Sequence, residues 1–335
     1  MTTALTAPTA TRPRTARWLL RLHRPALYGW AALVIVLTAV QLALAGPFAD
    51  AAAEGWRQFD ACTDVMRCRY DQAAILRYKD YYDYATVALT ALPFLVAAWA
   101  GAALTGRELE TGSARLAWTQ STSPARWLTV RLAVPSAVVT AGTCLLFWLH
   151  NRAWAAGRGR IDSAKRWYDL WTFHANGPTT AALTLAGLAT GTLAGLVLRR
   201  ALPALVAGLL VTAGIGGLAE KLMRQLWPAV TTIGTRQQGY LGDGMVVEQG
   251  LVTRTGAHVT CGSGSCDAAY AEAVGYFNTY HPYSHYWPLQ LTTSALLLVV
   301  TGLLVLASYL VLRRQTGALR GAGAAVEAKG VLVGA

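Results

Sequence analysis

The sequence predicts an all-α fold, a polytopic membrane protein with six transmembrane helices. Two observations predict it. Apolar residues make up 54% of the 335 residues and charged residues only 14%, whereas soluble domains average about 25% charged. Six stretches are also apolar for about 20 residues, the length of helix that crosses about 30 Å of hydrocarbon with every backbone polar group paired. A soluble fold is therefore not expected.

The six predicted spans are joined by connections of very different lengths. They are residues 27–47, 84–105, 132–148, 178–198, 201–218 and 289–312. The third is the shortest, unless Arg131 and His150 extend from its ends toward the interfaces. Only Arg199 and Arg200 separate the fourth span from the fifth, with Pro203 soon after, which predicts a tight helical hairpin.

The two tails and the basic residues predict the orientation. With residues 1–26 and 313–335 both cytoplasmic, the inner segments hold 15 of the 29 basic residues but only three of the 17 acidic ones. The first apolar run lacks a small-residue cleavage site, so we expect it to stay as an anchor in the cell membrane. The inner face then carries the whole net charge of +12. Such a face suits anionic lipids or an acidic protein partner, and nucleic acid is not expected as a partner.

The outer connections contain the cysteine pairs. The largest, residues 220–287 between spans five and six, is Gly-rich without clear periodicity, so we expect short irregular elements there, whereas residues 50–83 are typical of helix. Two close pairs, Cys62 with Cys68 and Cys261 with Cys266, lie in outer loops. Because that location is oxidising, we expect two local disulfides, and the nearby histidines give no zinc spacing for a metal site.

The sequence lacks the residue patterns that are typical of ion-coupled carriers, hydrolytic enzymes and ATPases. No Asp, Glu or Lys lies inside the six spans, which disfavours a proton- or sodium-coupled carrier. Neither an HExxH pattern, a GxSxG elbow nor a GxxxxGK[ST] phosphate loop occurs, so the chain is not expected to be an enzyme or to hold a cofactor. Any ATP hydrolysis would come from another polypeptide.

Three glycines in the fourth span form a stripe on one helical face. Gly187, Gly191 and Gly195 recur at four-residue spacing, which allows close approach of another helix. Packing within the monomer is the favoured interpretation, and a homodimer seam is the alternative.

The inner connection between spans two and three is the most unusual segment. Glu108 and Glu110 follow the second span directly, and Gly112 permits a sharp turn. Residues 114–120 can then form a short helix, and Ser123-Pro124 predicts the start of the third helix. Spacing alone leaves open whether the segment docks a partner or is a solvated connector.

This segment resembles the cytoplasmic coupling segment of type-2 ATP-binding-cassette (ABC) exporter permeases. The matching residues are Glu108, Glu110, Gly112, Ser113, Arg115, Leu116, Ala117, Trp118, Thr119, Gln120, Ser121, Arg126 and Trp127. Residues 280–290 resemble the family's entry to the last span, although Thr292 and Thr293 stand where an acidic residue is expected. Residues 17–24 resemble its amphipathic interfacial helix, and a basic segment on the headgroups explains them equally well.

The resemblance implies a permease subunit of an ATP-driven exporter. Two permeases, as a homodimer or pseudo-dimer, would form the pathway, and separate ATP-binding subunits would carry ATP and Mg. The expected coupling residues are Arg107, Glu108, Glu110, Gly112, Arg115, Leu116, Trp118 and Gln120. Glu108, Glu110 and Gln120 would contact the partner. Leu116 and Trp118 would anchor the segment to its own spans.

Two alternatives remain open. A sensor or immunity module would bind a ligand through the outer loops without transport. An enzyme acting on lipids would use a histidine at the outer surface as acid or base. The candidates for that role are His150, His174, His281 and His285.

Overall fold

The computed structural model describes residues 21, 23–63, 68–120, 123–162, 164–260 and 267–333. The helices are α1 (Arg24–Ala43), α2 (Ala49–Asp60), α3 (Gln72–Trp99), α4 (Arg107–Glu110), α5 (Ser113–Gln120), α6 (Pro124–Gly157), α7 (Leu170–Ala175), α8 (Pro178–Leu198), α9 (Ala201–Met223), α10 (Asp267–Glu272) and α11 (Tyr286–Val333). The strands are β1 (Val230–Thr235), β2 (Met245–Thr253), β3 (His258–Thr260) and β4 (Ala273–His281).

Within this described part of the chain, six helical stretches are long and apolar enough to cross a membrane, as predicted. They contain α1, α3, α6, α8, α9 and α11. The helices extend well beyond several of the apolar runs. A π-helical turn, Leu44–Phe48, joins α1 to α2 without a break, giving 37 helical residues, or about 55 Å at about 1.5 Å per residue. A second π-helical stretch, Ala100–Gly106, joins α3 to α4 in the same way.

The fourth predicted span, α8, lies at the centre of the bundle. It contacts α3, α6, α9 and α11, and it is the most buried of the six. Its small residues permit this position because they let neighbouring backbones approach closely. Arg199, at a φ of 54°, ends the helix in the left-handed conformation, and α9 begins two residues later at Ala201. The predicted tight hairpin is therefore present.

The connections divide the bundle into two ends. The short-loop end carries residues 107–120 and the turn at Arg199. The long-loop end carries α2, α7, the sheet and the connections around them. At this end residues 49–60 are helical, as predicted, and Cys62 is bonded to Cys68. Cys261 and Cys266 lie outside the described residues, so their pairing stays a prediction.

The all-α prediction is wrong for the connection between α9 and α11. Instead of short irregular elements, residues 230–281 contain a four-stranded antiparallel sheet in the order β1-β4-β2-β3. In the first half of β4 alternate residues, Ala273, Gly275 and Phe277, are buried. Register shifts in β2, at Val246/Glu248 and Val252/Thr253, break the two-residue period that identifies a strand in a sequence. The sequence of β2 therefore lacks the regular alternation that predicts a strand.

Candidate functional site at the short-loop end

The connection between α3 and α6 folds as the two short helices α4 and α5, joined by a turn. Gly112, at a φ of 74°, makes the turn in the left-handed region that favours glycine. The hydroxyl of Ser113 donates to the carbonyl of Glu108 at 3.2 Å and closes the turn. Ser123 accepts from the backbone N–H of Arg126 at 3.3 Å and caps α6. We call residues 107–120 the docking segment, after the role that the resemblance implies.

A buried ion pair ties the docking segment to the third span. The Glu108 carboxylate accepts a hydrogen bond from the Arg131 guanidinium, and their side chains are 12% and 4% exposed. Arg131 therefore turns inward and does not extend to the interface. Its guanidinium lies 4.2 Å from the ring centre of Trp127, whose indole meets Trp118 edge-on at 5.5 Å. The four side chains connect α4, α5 and α6.

A second contact ties the segment to the fifth span. The Glu110 carboxylate accepts the backbone N–H of Ala201 at 2.9 Å, at the first turn of α9. That N–H has no acceptor within its own helix, and the N-terminal end of a helix favours negative charge. Glu110 therefore acts as an N-cap supplied from a distant part of the chain.

The short helix α5 has one inward and one outward face. Ala114 is fully buried, and Ala117 and Trp118 pack against the cluster around Trp127. Arg115 is exposed, and Leu116 is 60% exposed. Of the two expected anchors, Trp118 packs against the spans whereas Leu116 points away from them. Arg107 is also exposed, and the Gln120 side chain lies outside the described part of the structure.

The glycine stripe of α8 faces the second span. A Cβ added at Gly187 would lie 2.4 Å from the Pro93 carbonyl oxygen, and one at Gly191 would lie 2.2 Å from that of Ala97. One at Gly195 would meet the Thr105 hydroxyl at 1.9 Å. The backbones of α8 and α3 therefore touch at Gly187 and Gly191, and Gly195 packs against the π-helical turn that follows α3.

The four candidate histidines lie at three separate places. His150 is fully buried, 3.0 Å from the Thr86 hydroxyl and stacked on Tyr82. In α7, burial lowers the pKa of His174 to about 4.

The other two histidines pair with each other where β4 leads into α11. Nδ1 of His281 lies 3.2 Å from Nδ1 of His285, and Nε2 of His281 donates to the Arg224 carbonyl at 3.1 Å. Burial also lowers the pKa of His281, which that backbone hydrogen bond opposes. In the described residues none of the four histidines forms an ion pair with a carboxylate.

Sequence reasoning missed Arg131 and Ala201 as partners of the two glutamates. Arg131 follows Trp127 by four residues, the spacing that places two side chains on the same helical face, so its contact with that ring had a local signal. The Glu110 contact spans 91 residues and had none.

Together these features define a class: a six-span membrane protein with a short amphipathic element fixed across the ends of three spans. Residues 31–224 match the family model described as ABC-2 membrane transporter related, more than half of the chain. The chain belongs to this family and is the membrane subunit of a transporter, which confirms the resemblance to ABC-2 type permeases. Neither the curated proteins nor the solved structures include a significant match. The matched region ends at Arg224, so the sheet and α11 lie beyond it.

Removing the Glu110 cap is expected to cost stability. Glu110→Ala leaves the Ala201 N–H without its acceptor, and loss of an N-cap costs about 1 kcal/mol. Glu110→Gln keeps an acceptor oxygen but loses the charge, so its thermal unfolding midpoint in detergent should lie between those of Glu110→Ala and the unaltered protein. An unchanged midpoint for Glu110→Ala would show that water replaces the cap.

Proposed function

We propose that the chain is the permease subunit of an ATP-driven exporter and that a separate ATP-binding subunit docks on the outward face of the docking segment. Both tails and the short-loop end would then be cytoplasmic, in the cell membrane, in line with the 15 of 29 basic residues that this orientation places inside. ATP and Mg would be held by that partner. A second copy or a related permease would complete the pathway.

The observation that carries this proposal is the double attachment of the segment. Glu108 holds it to α6 through Arg131, and Glu110 holds it to α9 through Ala201, while α4 continues directly from α3. A force applied to the segment would therefore reach three spans at once. A flexible connector would absorb such a force in its own bending.

The face that remains available for docking has two basic side chains and one apolar side chain without a partner on the spans. Arg107, Arg115 and Leu116 are exposed; Glu110 is exposed too, but its carboxylate caps α9, and the Glu108 side chain is only 12% exposed. This arrangement assigns Glu108 to internal anchoring and leaves the partner contact to the two arginines and Leu116. An acidic partner surface with an apolar pocket would complement it.

Substitutions on this face should weaken the partner without unfolding the chain. We expect Leu116→Asp and Arg115→Glu each to reduce retention of the ATP-binding subunit and transport-coupled ATPase stimulation by about tenfold or more, because a charge at a docked position loses a contact and adds repulsion. Co-purification from cells expressing both subunits measures the retention. Stimulation is measured after reconstitution into vesicles.

Arg254→Glu is the matched control, since Arg254 is exposed at the long-loop end and its charge change is the same. It should leave retention unchanged. Equal retention with Leu116→Asp and with the unaltered chain would place the docking site elsewhere. A chain that retains no ATP-binding subunit at all would favour the sensor or immunity module.

A further inference from the structure

A large cavity lies at the long-loop end, away from the docking segment. Its volume is about 980 Å³, at the upper end of the range for small-molecule sites. The walls come from α2, the end of α6 and residues 158–167, with Asp243 and Tyr283 from the side of the sheet. Four aromatic rings line it: Trp56, Trp154, Trp167 and Tyr283.

One cation in this cavity is held by aromatic rings. The Arg158 guanidinium lies 4.0 Å from the ring centre of Tyr283 and 5.1 Å from that of Trp154. Stacking on rings holds the guanidinium plane and leaves its N–H groups pointing outward from its edge. Those N–H groups match the paired oxygens of a phosphate or carboxylate.

The other lining cations already have carboxylate partners. The pairs are Arg57 with Glu54, Arg160 with Asp50 at 2.8 Å, Lys165 with Asp83 at 3.3 Å, and Arg166 with Asp243 at 3.4 Å. Arg158 differs, because no carboxylate of the described residues lies within ion-pair distance of it. The cavity therefore offers one cation that is ready for an anion.

Two carboxylates of the cavity are equally available. Asp60 and Asp162 line it and are exposed, and in the described part of the chain neither forms an ion pair. A ligand carrying only negative charge would be repelled by both. One carrying an ammonium beside its anionic group would satisfy Arg158 and the aspartates together.

We propose that this cavity binds a zwitterionic polar head that combines a phosphate with an ammonium group. The phosphate accepts hydrogen bonds from Arg158, the ammonium pairs with Asp60 or Asp162, and the aromatic rings contact the carbon chain that joins the two. This chemistry occurs in the headgroup of an ethanolamine phospholipid and in free phosphoethanolamine.

The cavity lies at a height above the membrane that both a phospholipid headgroup and a free soluble molecule can reach. Ala53 and Trp154 each lie six residues past an apolar run, which at about 1.5 Å per residue is about 9 Å beyond the hydrocarbon. Headgroups extend roughly 5–8 Å beyond that boundary. The inner wall of the cavity thus lies at the outer edge of the headgroup layer, and its outer wall faces water.

The test uses the full chain in two kinds of nanodisc: phosphatidylglycerol alone for the soluble ligand, and phosphatidylglycerol with a minor fraction of phosphatidylethanolamine for the lipid. Binding of soluble phosphoethanolamine is measured by calorimetry, and binding of phosphatidylethanolamine by its enrichment in the purified discs. We expect Arg158→Gln to weaken both by about tenfold or more. Asp60→Asn with Asp162→Asn should weaken phosphoethanolamine binding several-fold and leave the weak binding of inorganic phosphate unchanged or stronger.

Arg152→Gln is the matched control, since Arg152 is exposed on α6, six residues before Arg158, but does not line the cavity. Binding by Arg158→Gln equal to that of the control would overturn the proposal. So would inorganic phosphate binding as tightly as phosphoethanolamine, which would make the site a simple anion site. Enrichment of the lipid without binding of the soluble head would identify the bilayer as the source. These results do not depend on docking of the ATP-binding subunit, because the cavity and Leu116 lie at opposite ends of the bundle.

Discussion

Replacing Arg131 with alanine is expected to destabilise the protein by about 3–5 kcal/mol, because Glu108 would remain buried without its counter-charge. The cation–ring contact with Trp127 would be lost as well. The effect should appear as a lower thermal unfolding midpoint in detergent and as faster proteolysis between α3 and α6. Native stabilities are about 5–15 kcal/mol, so the loss would amount to between about a fifth and the whole of the stability.

Two further variants separate the ion pair from general damage. Arg126→Ala removes an exposed arginine from the same helix and should change stability by no more than about 0.5 kcal/mol. The double variant Glu108→Gln with Arg131→Met removes both charges and should recover most of the loss, since replacing a buried pair by groups of similar volume is often neutral. A stable Arg131→Ala single variant would show that the docking segment is not anchored by this pair.

The double variant also links the anchor to function. With the pair gone but the chain folded, the docking segment keeps its outward face and loses one of its two side-chain attachments. Retention of the ATP-binding subunit should then persist while ATPase stimulation falls. That separation would distinguish anchoring by Glu108 from the direct partner contact that the sequence suggested.

The features predicted correctly from sequence depend on properties of a single segment, such as its hydrophobic length, its composition or the conformation that one residue tolerates. Six spans follow from hydrophobic length, and the helix after Gly112 follows from a residue that tolerates a positive φ. Helix at residues 49–60 follows from composition. In each case the conformation and environment that the segment favours by itself are those that it has in the fold.

The features that were missed depend on contacts between distant residues. The Glu108–Arg131 pair joins positions 23 apart, and the Glu110 cap joins positions 91 apart. The sheet was missed for a related reason, because β1 and β4 pair across about 45 intervening residues and β2 is interrupted by register shifts. The cavity around Arg158 draws on four parts of the chain and has no local motif.

Replacing Gly191 with leucine is expected to destabilise the bundle by about 3 kcal/mol or more. The first added carbon would already lie 2.2 Å from the Ala97 carbonyl oxygen and 2.8 Å from the Gly101 amide nitrogen. Both are backbone atoms, which cannot turn aside as a side chain can. Because α8 is central and contacts four other spans, separating it from α3 would disturb the whole bundle. The yield of monodisperse protein and its thermal midpoint measure the effect.

Gly214→Leu is the matched control, because Gly214 lies in the neighbouring span α9 with nothing within 4 Å of an added Cβ. If the glycine stripe of α8 acts through its contact with α3, the control retains a normal midpoint while Gly191→Leu does not. Equal stability of the two variants would contradict that close contact. A control that folds as a monomer but loses self-association would show that the open face of α9 meets a second copy of the chain, and the dimer seam would then lie on α9 instead of the α8 stripe.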